Sequence, residues 1–148
     1  IKFEYFDHIL TNPPFGSKIQ VKGEEMLKQY ELGHSWKIDK KTNKFAKGKL
    51  KAKETPQILF IERCLHLLKP GGKLAIVLPD GILGNDTLTY LREWILDRAK
   101  VLAVIDVPIE TFMPYTSTKT SVLLLKKYDL KIEDTSDKNG FELINTNI

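Results

Sequence analysis

The sequence predicts an α/β domain in which a mostly parallel sheet is flanked by helices. Three observations carry this. Short continuous apolar runs, KLAIVL (73–78) and VLAVIDV (101–107), have the length and composition of buried strands. Between them, apolar residues recur at helical spacing. The resulting order, strand, helix, strand, helix, strand, strand, is the pattern that crossover connections impose on a parallel sheet. A chain of 148 residues is within the usual size of one domain and long enough to bury a true core.

Phe6–Leu10 (FDHIL) reads as a short buried strand, ended by Thr11-Asn12-Pro13-Pro14 because two prolines cannot continue a hydrogen-bonded ladder. Residues 16–53 form a basic insertion with little periodicity, expected as a loop apart from a short helix around Glu24–Tyr30. Thr55-Pro56 signals a helix start, an N-cap residue before proline at the first helical position, and Ile58, Ile61, Leu65 and Leu68 then mark one face. Lys69-Pro70-Gly71-Gly72 stops that helix and Lys73–Leu78 follows as a strand covered on both faces, closed by Pro79. A second helix is expected from Asn85 or Asp86 to about Arg98, with Leu88, Leu91, Trp94 and Ile95 inward. Val101–Val107 is a third buried strand and Thr120–Lys126 a fourth. Residues 128–148 read as a polar tail in which Phe141–Ile144 is either a last short strand or unpaired.

With 42% hydrophobic and 28% charged residues, the composition excludes a disordered or fibrous chain. No apolar run approaches the roughly 20 residues that cross a bilayer, and no signal-peptide pattern opens the chain, so a cytoplasmic protein without membrane association is expected. Cys64 is the single cysteine, and His8, His34 and His66 lack ligand spacing, so no metal site is expected. Ile1 in place of Met suggests a fragment of something longer. The net charge of +4 is uneven: residues 16–53 hold eleven lysines against four acidic residues, a local +7. Such a segment suits a phosphate backbone, although a solvated lysine-rich loop is the commoner meaning of charge alone.

Asn12-Pro13-Pro14-Phe15 carries the chemistry. In open α/β sheets, ligands bind outside the carboxyl ends of strands, which puts this motif and the Pro79-Asp80 turn on one rim. Asn-Pro-Pro-Phe after an apolar strand matches the motif of amino-group methyltransferases. Their target nitrogen is a poor nucleophile because its lone pair is delocalised into a planar system. The Asn12 side-chain oxygen and the Pro13 carbonyl can each accept one N–H, which draws the nitrogen toward a tetrahedral geometry with its lone pair free. Pro13 and Pro14 hold these acceptors in place without an ordering cost, and Phe15 offers a face on which a planar base can stack. A proline turn that merely ends a strand is the alternative to this reading.

From Phe6 to about Lys127 the chain resembles the N6-adenine-specific DNA methyltransferases, especially modification subunits of type I restriction-modification systems and their single-chain relatives. Four stretches carry the likeness in the family's order: DHILTNPPFGS, FIERCLHLLKPGGKLAIVLPDGIL, VIDVPIETF and TKTSVLLLKK. The resemblance implies a partial Rossmann-like, S-adenosylmethionine-dependent methyltransferase fold lacking its first strands, with residues 1–148 as the C-terminal half of the catalytic domain. It implies that Asn12 and Pro13 bind the adenine amino group, that Asn12 also meets the cofactor, and that Phe15 and Phe112 pack the two faces of the flipped base. Phe112 is otherwise an ordinary core aromatic. Asp80 either shapes the pocket rim or caps the following segment, and capping is preferred. Lys119 and Lys126 flank the last strand, where solvation is the ordinary reading and phosphate contact the alternative.

The family places its glycine-rich cofactor loop upstream of the motif. Gly71-Gly72, Gly81 and Gly84 are not in the strand-loop-helix setting such a loop requires, so the isolated chain is expected to be inactive, with most of the cofactor site outside it. Expected partners are DNA and separate specificity and restriction subunits. The same motif also serves N2-guanine methyltransferases acting on RNA, glutamine methyltransferases acting on release factors and, usually with Ser for Asn, cytosine-N4 enzymes. A non-catalytic DNA-binding remnant is the alternative of another class.

Overall fold

A computed structural model describes residues 2–15 and 19–129. The expected strand at 141–144 and most of the polar tail lie outside them. In chain order the elements are β1 (Phe6–Thr11), β2 (Val21–Lys22), the one-turn helix α1 (Glu24–Leu27), β3 (His34–Asp39), β4 (Lys44–Leu50) and β5 (Lys53–Glu54). Then come α2 (Pro56–Leu67), β6 (Leu68–Pro79), the short helix α3 (Asp80–Gly84) and a 3-10 turn, Asp86–Leu88. They are followed by α4 (Thr89–Leu96), β7 (Ala99–Val107), a second 3-10 turn, Ile109–Phe112, and β8 (Thr120–Lys127).

The main sheet has the strand order β1-β6-β8-β7. β1 runs parallel to β6, while β8 is antiparallel to both β6 and β7. Three of the four strands therefore point the same way, as the crossover pattern predicts, and β8 is inserted against them. On β6, Leu74, Ile76 and Leu78 are buried beside Leu123 and Leu125 of β8. They join Ile58, Ile61 and Leu65 of α2 and Leu91, Trp94 and Ile95 of α4 in one core. Alternation along a strand sends Ala75, Val77, Val122 and Leu124 to the other face, where they are half-buried. The KLAIVL run thus has a packed face and a more open one, in place of the two covered faces expected.

Both outer strands differ from the buried strands the sequence suggested. β1 has one neighbour, and Phe6 and Leu10 are 45% and 81% exposed. β7 closes the other edge, with Leu102 and Ile105 exposed. Apolar composition reports strand character, but edge position is decided by partners distant in sequence.

The helix signals hold closely. Thr55 is extended at φ −76°, ψ 142°, and Pro56 occupies the first turn of α2, although the Thr55 side chain makes no capping bond. β6 begins directly after α2 at Leu68, earlier than the expected Lys73, and includes Gly71 at φ 76°. Asn85 caps the 3-10 turn through Thr87 N at 2.9 Å, so the second helix starts where expected, by a tighter first turn, and ends at Leu96.

The largest departure is the basic insertion, which is not a loop. β3 and β4 form an antiparallel hairpin, β2 pairs with β5, and the helix expected over Glu24–Tyr30 shrinks to Glu24–Leu27. The insertion is fastened to the core by buried polar bonds. Glu62 of α2, fully buried, accepts the backbone N–H groups of Glu31 and Leu32, both at 2.8 Å. Glu31 accepts Trp94 Nε1 and Arg98 Nη2, both at 2.7 Å. Trp36 stacks parallel to Tyr90 of α4 at 6.5 Å, and Phe45 meets the same ring edge-on at 6.3 Å. Lys51 donates to Tyr90 Oη at 3.0 Å and to Glu54. Burial opposes its charge, yet these bonds outweigh burial and raise its pKa. Gly33 is required at the base of the hairpin, where a Cβ would stand 2.2 Å from the Leu27 carbonyl oxygen.

Candidate active site

Asn12–Phe15 leaves the carboxyl end of β1. Thr11 is in register with Ile76, so the motif departs beside Val77–Pro79 and shares a rim with the Pro79-Asp80 turn, as expected. Pro13 is buried and anchors the turn, Asn12 and Pro14 are exposed, and Phe15 is half-buried. The Asn12 side chain makes no hydrogen bond among the described residues, so its amide is available to a ligand.

Phe112, from the 3-10 turn after β7, comes to the same place. Its ring lies 5.7 Å from that of Phe15, centroid to centroid, at an interplanar angle of 90°. This edge-to-face contact is a stable aromatic geometry. A planar base held between two rings needs about 7 Å between their planes, twice the roughly 3.4 Å stacking rise of B-DNA. Admitting a base between these rings therefore means turning one of them flat and apart. Both half-buried rings have a solvent-facing side that permits this.

The Asp80 carboxylate does not cap the helix that follows. Asp80 is itself the first residue of α3, and Ser121 of β8 lies opposite Leu78 in register, so the carboxylate accepts the Ser121 hydroxyl at 2.8 Å across the strands. The Asp80 N–H donates to the Lys119 carbonyl at 3.1 Å. The rim is thus tied to β8 just where the Phe112 loop returns. Lys119 pairs with Asp106 at 3.1 Å, and this carboxylate raises the Lys119 pKa, so the ammonium stays charged and partnered at neutral pH. Sequence reasoning missed Ser121 and Asp106. The available signal was a polar pair, Thr120-Ser121, both buried at the head of an otherwise apolar strand.

Among the described residues the one thiol offers no competing nucleophile. Cys64 is buried in the core, which pushes its thiol up to about 11 and keeps it protonated. Among the described residues no group of three or more His, Cys, Asp or Glu is placed to hold a metal, and no helix is long and apolar enough to cross a membrane. For a nucleoside cofactor the fit is limited to one residue, Asn12, beside the open edge of β1. Gly81 and Gly84 face open space, so neither marks a backbone cradle closing on a ligand, and Gly71-Gly72 sit at the far end of β6. Among the described residues the rim therefore offers an exposed amide and two aromatic rings, with no glycine-rich backbone cradle beside them.

Comparison with known proteins agrees with this arrangement. A Listeria monocytogenes structure described as a class I S-adenosylmethionine-dependent methyltransferase superposes with a TM-score of 0.65 at 22% identity, covering 90% of this chain and 35% of that one. The methyltransferase subunit of a type I restriction-modification system from Streptococcus thermophilus gives a TM-score of 0.60 at 27% identity, covering 86% and 25%. The methylase subunit of the type I restriction enzyme EcoEI from Escherichia coli is 29% identical over 125 residues, 84% of this chain and 21% of that protein. The chain thus spans about a fifth of the length of that relative. The fold is the Rossmann-like methyltransferase fold in part. The family model for N-6 DNA Methylase matches residues 2–143, and the chain belongs to that family.

Proposed function

We propose that the whole protein transfers a methyl group from S-adenosylmethionine to the N6 amino group of adenine in DNA, and that residues 1–148 are the C-terminal half of its catalytic domain. The observation that carries this is the Phe15–Phe112 pair beside an unpartnered Asn12 at the carboxyl end of β1, in a member of the N-6 DNA Methylase family. In this reading Asn12 Oδ1 and the Pro13 carbonyl accept the two amino N–H groups, Pro13 and Pro14 fix them, and Phe15 and Phe112 enclose the flipped adenine. The cofactor supplies an electrophilic methyl group when bound. Transfer would form the C–N bond to the amino nitrogen as the methyl C–S bond of the sulfonium breaks, leaving a neutral thioether, and the surplus proton of the nitrogen would pass to water, so no tuned base is needed. Asn12 also borders the cofactor, most of whose site is held by chain outside these residues. The open outer edge of β1 is where strands carrying that site would pair.

The reading extends to a cytoplasmic protein that works on DNA with separate specificity and restriction subunits; that relatives are named as methylase subunits of type I restriction enzymes supports a multisubunit assembly. Mass spectrometry of nucleosides from duplex DNA treated with the whole protein should give N6-methyladenine. Methylcytosine, or methylated guanine or glutamine from RNA or protein substrates, would overturn the adenine assignment. By calorimetry, residues 1–148 alone should bind no S-adenosylmethionine, and micromolar binding would refute the division of the site.

A further inference from the structure

The hairpin of β3 and β4 carries a charge that the fold does not use. Residues 34–50 contain six lysines, Lys37, Lys40, Lys41, Lys44, Lys47 and Lys49, against Asp39 alone, a net +5 that leaves the other 131 residues at −1. All six are exposed, and none forms an ion pair among the described residues. Asp39 is spent on the tip, where it accepts the Lys41 N–H at 2.8 Å. Glu93 and Asp97 of α4 line a cavity with Lys44, but neither reaches it. Crowding like charges on one hairpin opposes its folding, and a two-stranded hairpin is marginal without support.

The support comes from the face that Trp36 and Phe45 share with Lys47, whereas Lys37 and Lys44 lie on the opposite face. Trp36 and Phe45 clamp Tyr90, and the Glu62–Leu32 and Glu31–Trp94 bonds hold the entry to β3. Tyr90 is in the first turn of α4, which follows α3 and the Asp86–Leu88 turn after the carboxyl end of β6 and packs into the core, so the hairpin is fixed to a core helix. The lysines are therefore presented on an anchored scaffold instead of a mobile loop.

We infer that this hairpin binds the phosphate backbone of duplex DNA, outside the base pocket and without reading sequence. The inference rests on the proposed DNA substrate, because a polyanion is the ligand that unbalanced, regularly held ammonium groups fit, and phosphate contacts position a duplex while base contacts specify it. The test uses the whole protein with the combined K40Q/K41Q/K47Q/K49Q variant, and Lys69→Gln, at an exposed pair with Asp7 on the opposite end of the sheet, as control. Binding of a fluorescent 30-base-pair duplex is read by anisotropy between 50 and 200 mM salt. The quadruple variant should bind at least about 10³-fold more weakly at the low-salt end, and its slope of log K against log salt should be shallower by roughly 2 to 4, so that the gap narrows without closing at the high-salt end. Lys69→Gln should match the wild type in both. Equal affinity and slope in the quadruple variant would overturn the inference while leaving the methyltransferase reading intact. So would unchanged DNA binding with loss of a co-purifying subunit, which would make the hairpin a protein-facing surface. A wild-type protein that bound no duplex would refute the DNA reading itself, and this inference with it.

Discussion

Replacing Asn12 with alanine should lower the single-turnover rate of adenine methylation by the whole protein at least about 10²- to 10³-fold, the usual cost of removing one preorganised hydrogen-bonding partner of a transition state. The side-chain oxygen matters most when the amino nitrogen becomes tetrahedral, so the loss should fall on kcat more than on KM. A folding defect is not expected to mimic this. Asn12 is exposed, lies beyond the last paired residue of β1 and makes no hydrogen bond among the described residues. The variant should therefore keep the wild-type melting temperature and near-wild-type DNA affinity. Retained turnover, or a lost rate accompanied by a matching loss of stability, would refute the role assigned to Asn12.

That motif was legible because its information is local: an apolar run, two prolines that end it and an aromatic immediately after. The same holds for α2, announced by Thr55-Pro56, and for the strand character of β6. What could not be read depends on partners far along the chain. In the hairpin, Trp36, Ile38 and Phe45 are interleaved with lysines, so the segment resembles a charged loop until Tyr90, about fifty residues later, supplies the surface on which Trp36 and Phe45 pack. The edge position of β1 follows from its pairing with β6 alone among the described residues, and that of β7 from its pairing with β8 alone, choices no strand's own composition records. Asp80 shows the same limit. Beside a helix start an aspartate is normally a cap, and only the register that sets Ser121 opposite Leu78 diverts its carboxylate to β8. Phe112 is intermediate, since as a sequence feature it is one aromatic near a strand end, and its place came from the likeness to a family.

The second large effect is expected at Glu62, whose consequence is structural. Its two carboxylate oxygens each accept one backbone N–H, from Glu31 and from Leu32, and both Glu62 and Leu32 are fully buried. Glu62→Ala leaves at least the Leu32 N–H without a partner and without water. The expected cost is about 3 kcal/mol, combining a lost charge-assisted bond with the penalty for an orphaned buried donor. Glu31→Ala removes a shorter contact to Arg98, worth at most about 1 kcal/mol with side chains 41% and 35% exposed, and the bond from Trp94 Nε1, worth about 1 kcal/mol more, so its cost should stay below that of Glu62→Ala. The ranking follows burial and not distance. Glu62→Gln separates the need for acceptors from the need for volume, because an amide has one acceptor oxygen and would turn its NH2 group toward a second donor. It should therefore destabilise almost as much as alanine despite nearly equal size. Denaturant unfolding gives the ranking, and hydrogen exchange at residues 31 and 32 locates it. If Glu62→Gln were neutral, or if Glu31→Ala cost more than Glu62→Ala, then the paired backbone bonds would not be what fastens the basic hairpin to the core.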